Sequence, residues 1–289
     1  MVKYRSAKRI NDKIYKINKN MNRIIYLLKN DDKEIAMLFQ SLRLLKDNFL
    51  PNNNYPIVIL HDEEISSDIF DEIKRYSDVD FKTILISFDT DEYQSRTIGV
   101  PENIMVPGVD RGFGIGYRHM CRLYSYGMYG ITELQDTNYY LRLDCDSYFL
   151  SPVDFDLFKV MESGEKVYGY NAITTDNPLV SQGLWEISKE YSKTHETLKT
   201  PIDQIPQYNV YYTNFEIAKF DWFVNSGYKD FFKFLDNENG IYKWRWGDHC
   251  IKYLGVEMFL DDNKKHHFNL PYRHGNIFNL NDFKQFINR

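Results

Sequence analysis

The sequence predicts one α/β domain. Three observations carry that reading. From residue 23 onward, apolar runs of strand length alternate with runs of helical period, and strand–helix–strand order implies parallel strands joined by right-handed crossovers. Hydrophobic residues are 43% of the 289 and charged residues 27%, which supports a large core and excludes wholesale disorder. No repeat and no Pro/Ser-rich seam divides the chain into separate units.

Each element follows from its own pattern. Residues 1–20 carry seven Lys/Arg and one acid, with Ile10, Ile14, Ile17 and Met21 at helical spacing. Residues 1–22 are therefore predicted as a basic amino-terminal helix. It rests on the domain's own core or contacts an anionic membrane surface. RIIYLLK from Arg23 reads as a buried strand. Asp31 or Asp32 caps a helix over residues 34–49, which Pro51 and the Asn52–Asn54 run end. Residues 55–61 and 80–87 read as two further strands around a helix at 66–77. Ligands of such sheets bind beyond the carboxyl ends of the strands. Residues 89–116 read as a long polar loop, 116–130 as a helix, and 138–149 as a strand entering a polar turn. Then come a short helix near 155–162, a strand at 167–171, a helix from about Val180 and a loop at 199–208. A run from Thr213, a helix at 226–236 and a last helix after Asp248 complete a domain of residues 23–289.

Composition excludes some functions. A net charge of −5 lacks the positive field that nucleic-acid binding requires. No stretch approaches the ~20 apolar residues of a membrane span, and the start has no secretory apolar segment. Cys121, Cys145 and Cys250 are too few for a disulfide framework and suit a reducing compartment. No Asn-x-Ser/Thr sequon occurs. Aromatics reach 16%, equally suited to stacking on sugars or bases and to a tyrosine-rich core.

Four segments carry candidate chemistry. Asp144-Cys145-Asp146 follows the apolar run Tyr139–Leu143. Two carboxylates at a strand's carboxyl end can hold a divalent cation against a diphosphate; a turn cap plus a solvated acid is the competing reading. Glu216 lies within the largely apolar Phe215–Ala218, where a carboxylate is costly to bury unless paired. It is either aimed at an anomeric carbon or exposed on a strand's polar face. Trp244-Arg245-Trp246-Gly247-Asp248-His249 offers stacking faces, a cation and an acid, or only a helix cap at Gly247-Asp248. His274 sits in the Tyr272–Gly275 segment as a possible metal ligand or a surface residue. His249, Cys250, His266 and His267 fit no standard zinc spacing. Residues 111–116 are Gly-rich without being a dinucleotide fingerprint, and read as a flexible loop close to a ligand.

In combination, Tyr117-Arg118-His119-Met120-Cys121-Arg122, Asp144-Cys145-Asp146, Asn214-Phe215-Glu216-Ile217-Ala218, Arg245-Trp246-Gly247-Asp248 and Tyr272–His274 resemble the fungal α-1,2-mannosyltransferases of glycosyltransferase family 15. The resemblance covers roughly residues 23–276. It implies a GT-A-type single domain with a mixed, mainly parallel central sheet flanked by helices. It also implies transfer of mannose from GDP-mannose to a mannose 2-hydroxyl of a glycan or glycoprotein acceptor, with Mn²⁺ and retention of the α configuration. On matching positions, the metal set is Asp144, Asp146 and His274. Tyr117, Arg118, Arg142 and Asp146 fall to the donor side, and Glu216 and Asp248 to catalysis. A transferase with another nucleotide-sugar donor, or a non-catalytic nucleotide-sugar- or glycan-binding protein, are the alternatives.

Three departures from the family pattern stand out. Its Glu-Pro-Asp is Asp144-Cys145-Asp146, one methylene shorter at the first acid and without the rigid proline. Its Cys-His before the Asn214–Ala218 block is absent, with Asn209–Thr213 in that place. Its amino-terminal anchor is not read at the start of this sequence, which gives the expectation of an anchorless form. A Lys/Asn/Ile/Tyr-rich, cysteine-poor, sequon-free chain suggests an AT-rich genome and a cytosolic setting, such as that of a large cytoplasmic virus. A Golgi lumen is the alternative if a native anchor precedes the sequence.

Overall fold

A computed structural model describes residues 21–76, 81–109, 112–195 and 198–275. Residues 1–20 of the predicted basic helix lie outside the described residues. Met21, placed by spacing on that helix, instead opens strand β1 (Met21–Leu28). The next elements alternate as expected: α1 (Asp32–Asn48), β2 (Ile57–His61), α2 (Ser67–Tyr76) and β3 (Phe81–Leu85). Asp31 caps α1, its carboxylate accepting from the amides of Lys33 and Glu34, which satisfies two of the orphan donors of a helix start.

The described residues of the 89–116 segment are more ordered than a loop. They form α3 (Asp91–Thr97), the antiparallel pair β4 (Asn103–Met105) and β5 (Gly112–Gly114), and the first residues of α4 (Ile115–Ser125). Their pattern is faint because α3 buries only Tyr93 and each strand is three residues long. The Gly-rich run is thus a strand entering a helix. Phe113 fixes it by packing with Val106 and Val180.

The chain continues through β6 (Thr137–Leu143), β7 (Ser147–Phe149), α5 (Leu157–Ser163), β8 (Tyr168–Tyr170) and β9 (Ile173–Thr175). Next come α6 (Leu184–Lys193), β10 (Asn209–Tyr211), β11 (Phe215–Lys219), α7 (Phe220–Asn225) and α8 (Tyr228–Glu238). The last elements are α9 (Gly240–Trp244), α10 (Asp248–Phe259), β12 (Lys265–His267) and β13 (Tyr272–His274). The central sheet runs β12-β8-β11-β6-β1-β2-β3. Strands β3, β2, β1 and β6 are parallel, and β11 is antiparallel to both its neighbours.

Both faces of the inner strands β1, β2, β6 and β11 are covered, so β1 and β2 read as continuous apolar runs. Ile24, Tyr26 and Leu28 face a layer containing α1 and α5 residues such as Leu38, Leu42 and Phe158. Ile25, Val58 and Tyr140 face a second layer built from α4, α7, α8 and α10. Strand order reverses direction at β1, between β2 and β6, and that is where an α/β sheet opens its ligand crevice. No helix among the described residues is long and apolar enough to cross a membrane.

Candidate active site

The chain leaves β6 into the turn Asp144-Cys145-Asp146. Cys145 points inward, 3% exposed, and its thiol donates to the Leu27 carbonyl at 3.2 Å. With the middle residue anchored inward, both flanking acids stay partly exposed, their side chains 32% and 22% accessible. The turn itself is capped by Ser147, whose hydroxyl accepts from the Asp144 amide at 3.1 Å. The carboxylates therefore remain for other partners, against the turn-cap reading of this motif.

Strand β13 brings the third member. It pairs antiparallel with β7, with His274 opposite Ser147. His274 Nε2 lies 2.9 Å from Asp146 Oδ1 and 3.7 Å from Asp144 Oδ2. Ligand atoms of Asp144, Asp146 and His274 lie within 4.8 Å of one another. Two carboxylates and an imidazole are a donor set that suits a divalent cation of the Mn²⁺ kind. Burial raises the Asp144 carboxyl pKa, Asp248 and Asp146 add to the rise, and Arg142 and His274 oppose it. Burial disfavours the His274 imidazolium, but the Asp146 hydrogen bond and the Asp144 charge outweigh it and raise its pKa.

Arg142 ties this group to α10. Its Nη2 and Nε reach Asp144 Oδ1 at 3.1 and 3.3 Å, and Nη1 donates to Asp248 Oδ2. The guanidinium carbon lies 3.5 Å from the centre of the Tyr124 ring, a cation–π stack. Thr213 Oγ1 adds a hydrogen bond to Asp248 Oδ2 at 2.8 Å. Burial disfavours charge on Asp248, yet Arg142, His249 and Thr213 hold its pKa at about 2. Its place in the first turn of α10 also favours a negative charge. Arg142 is 2% exposed, so it acts as a brace between two carboxylates.

Glu216 is not part of this group. It faces Arg142 across the β11–β6 ladder, and its side chain is completely buried. Tyr140 and Tyr168 donate to its two oxygens, and Lys252 of α10 pairs with it at 3.0 Å. This overturns the reading of Glu216 as exposed on a strand's polar face; its carboxylate is engaged by Lys252 and two tyrosines. The physical reason is that α10 lays a buried lysine over this face of the sheet.

Arg118 is likewise displaced from its expected role. It donates to the carbonyls of Gly114, Tyr242, Pro101 and Glu102 and is fully buried. It stitches the β4–β5 hairpin to α9 instead of facing an anion. Tyr117 is held by Arg245, whose Nη2 donates to its hydroxyl at 2.7 Å. Arg245 also lies over Phe113.

A second ligand-type group is formed by Asp176, His249 and Cys250. His249 Nε2 sits 2.7 Å from Asp176 Oδ2, and Arg245 Nη1 lies 3.6 Å from the same oxygen. The nearby guanidinium already balances that carboxylate. His266 and His267 stand apart on β12, His267 stacked on Tyr170. Sequence reasoning assigned nothing to Tyr212, Thr213 or Lys252. Lys252 carried one signal, its place one helical turn after Asp248; the other two carried none.

A mixed sheet of this order, with a cation-type group beyond the carboxyl end of β6, defines the GT-A architecture of glycosyltransferases. Solved structures agree. Core-mannan synthase A (CmsA/Ktr4) from Aspergillus fumigatus, in its Mn/GDP form, superposes with a TM-score of 0.73 at 21% identity, over 88% of this chain and 74% of that one. The mannosyltransferase Ktr4p from Saccharomyces cerevisiae, in complex with GDP, gives 0.74 at 23%, over 95% and 76%. The chain belongs to the glycolipid 2-alpha-mannosyltransferase family, whose model matches residues 2–286. It is 28% identical over 259 residues to the alpha-1,2 mannosyltransferase KTR1 of Saccharomyces cerevisiae, covering 84% of this chain and 65% of that protein. It is 28% identical over 268 residues to the O-glycoside alpha-1,2-mannosyltransferase omh1 of Schizosaccharomyces pombe, covering 87% and 68%. The chain thus spans about two thirds of the length of these relatives.

Proposed function

We propose that this chain is a retaining α-1,2-mannosyltransferase that moves mannose from GDP-mannose to the 2-hydroxyl of a mannose-bearing glycan or glycoprotein. The observation that carries the reading is the convergence of Asp144, Asp146 and His274 beyond β6, in a chain of a family named for 2-α-mannosyl transfer. Asp144 and His274 would hold a divalent cation, with Asp146 beside them facing the donor. When bound, the ion supplies Lewis-acid neutralisation of the diphosphate leaving group. Arg142, fixed by Asp248 and stacked on Tyr124, aims the Asp144 carboxylate. Tyr117 lines the donor side, with its hydroxyl oriented by Arg245.

The burial of Glu216 favours front-face displacement over a glycosyl-enzyme. The bond from the anomeric carbon to the phosphate oxygen breaks as the acceptor oxygen enters on the same face. The departing phosphate takes the acceptor's proton, so no protein base is needed. Glu216 then serves the site from beneath, by holding Lys252 and the tyrosines under Arg142. Unpaired, buried Cys121, Cys145 and Cys250 support a reducing compartment.

The test is incubation with GDP-mannose, Mn²⁺ and methyl α-mannoside. The expected result is GDP release and an α-1,2-linked product by NMR, both lost in Asp144→Ala and His274→Ala. A β-linked product would overturn the retaining assignment. Turnover unchanged in either variant would remove that residue from the cation site.

A further inference from the structure

We propose that Tyr212 is a positioning residue that selects the cation-binding tautomer of His274; this deepens the reading above and rests on it. Tyr212 lies between β10 and β11, in the short Asn209–Thr213 run that departs from the family pattern. Its backbone is pinned on both sides: its amide donates to the Ala172 carbonyl at 3.0 Å and its carbonyl accepts from Phe215 at 3.3 Å. Its hydroxyl lies 3.0 Å from His274 Nδ1. The two rings meet edge to face, 5.4 Å apart at 85°.

The chemistry follows from the two nitrogens of one ring. A cation needs the lone pair of Nε2, so the remaining hydrogen must sit on Nδ1. Asp146 Oδ1, 2.9 Å from Nε2, by itself favours a hydrogen on Nε2, the wrong tautomer for a ligand. Tyr212 Oη can accept from Nδ1–H and so offsets that preference. It also fixes the rotation of a ring carried at the end of the three-residue strand β13. Partners on the far nitrogen of a metal-binding histidine generally set tautomer and orientation, and their loss costs about 10–100-fold in metal affinity. Tyr212 is 40% exposed, so removing its hydroxyl leaves the core untouched.

The experiment uses the full chain without donor. Mn²⁺ affinity is measured by EPR of the free ion for wild type, Tyr212→Phe and His274→Ala. The imidazole nitrogens of His274 are read by ¹⁵N NMR, with Mg²⁺ as a diamagnetic ion. We expect Tyr212→Phe to weaken Mn²⁺ binding about 10–100-fold at an unchanged unfolding midpoint, and to reduce the population of the Nδ1–H tautomer. If His274→Ala abolishes binding while Tyr212→Phe matches wild type in Mn²⁺ affinity and Nδ1–H tautomer population, the role of Tyr212 is overturned and the cation site stands. If His274→Ala binds Mn²⁺ like wild type, the site reading itself falls.

Discussion

Glu216 and Lys252 meet at 3.0 Å, and neither side chain is exposed to solvent. The pair is embedded in hydroxyls and rings: Lys252 Nζ donates to Tyr129 at 2.6 Å and lies 4.0 Å from the centre of the Phe223 ring. Burial lowers the Lys252 pKa, and Glu216 resists that fall. Such a pair contributes little net stability, but removing one partner strands the other charge. Lys252→Met is therefore expected to cost about 3–5 kcal/mol, read as a lower urea midpoint. A midpoint equal to wild type would show that the pair is not closed in solution.

The same pair separates two chemical roles for Glu216. In the double variant Glu216→Gln/Lys252→Met no buried charge is left over, so much of the lost stability returns. If Glu216 acts only from beneath Arg142, turnover of the double variant should stay within about tenfold of wild type. A nucleophile would lose several orders of magnitude whatever its partner. Single-turnover GDP release on the two proteins decides between them.

Arg142 supplies a third prediction. Its fork spans Asp144 and Asp248 while its plane stacks on Tyr124, a geometry that the point charge of lysine cannot reproduce. Arg142→Lys should therefore weaken Mn²⁺ binding by about 10–100-fold, because Asp144 loses the group that orients it. Calorimetric titration checks this. Affinity equal to wild type would mean that Asp144 needs no brace.

The parts of this protein legible in its sequence are those whose signal is local. β1 and β2 were readable because both their faces are buried, which writes long apolar runs. Asp144, Asp146 and His274 were readable as types suited to a cation, and β7–β13 pairing brings them together. What stayed hidden depends on distant partners. Glu216 is buried by Lys252, 36 positions away, and nothing in its neighbours announces a lysine. Arg118 was placed on the donor side by resemblance, and its actual acceptors are main-chain carbonyls, which no residue pattern records. α3 escaped because one buried tyrosine sets no period. Tyr212 lies in the run that departs from the family pattern, where resemblance offers no guide.

Acid sensitivity offers the last prediction. His119 is buried, with Nδ1 at 2.7 Å from the Tyr242 hydroxyl and its ring stacked on Phe88. Burial, with the charges of Arg118 and Arg122, pushes its pKa down from 6.5 to about 4. Between those values the unfolded chain binds a proton that the folded chain refuses, so stability rises with pH across that window. The contribution is complete above pH 6.5 and is lost progressively as pH falls toward 4. From pH 7 to pH 5 this amounts to about 2 kcal/mol. His119→Gln removes the titration, so its urea midpoint should fall less than that of wild type over the same interval. Equal slopes for the two proteins would show that the acid response comes from other groups, because a residue that no longer titrates cannot carry it.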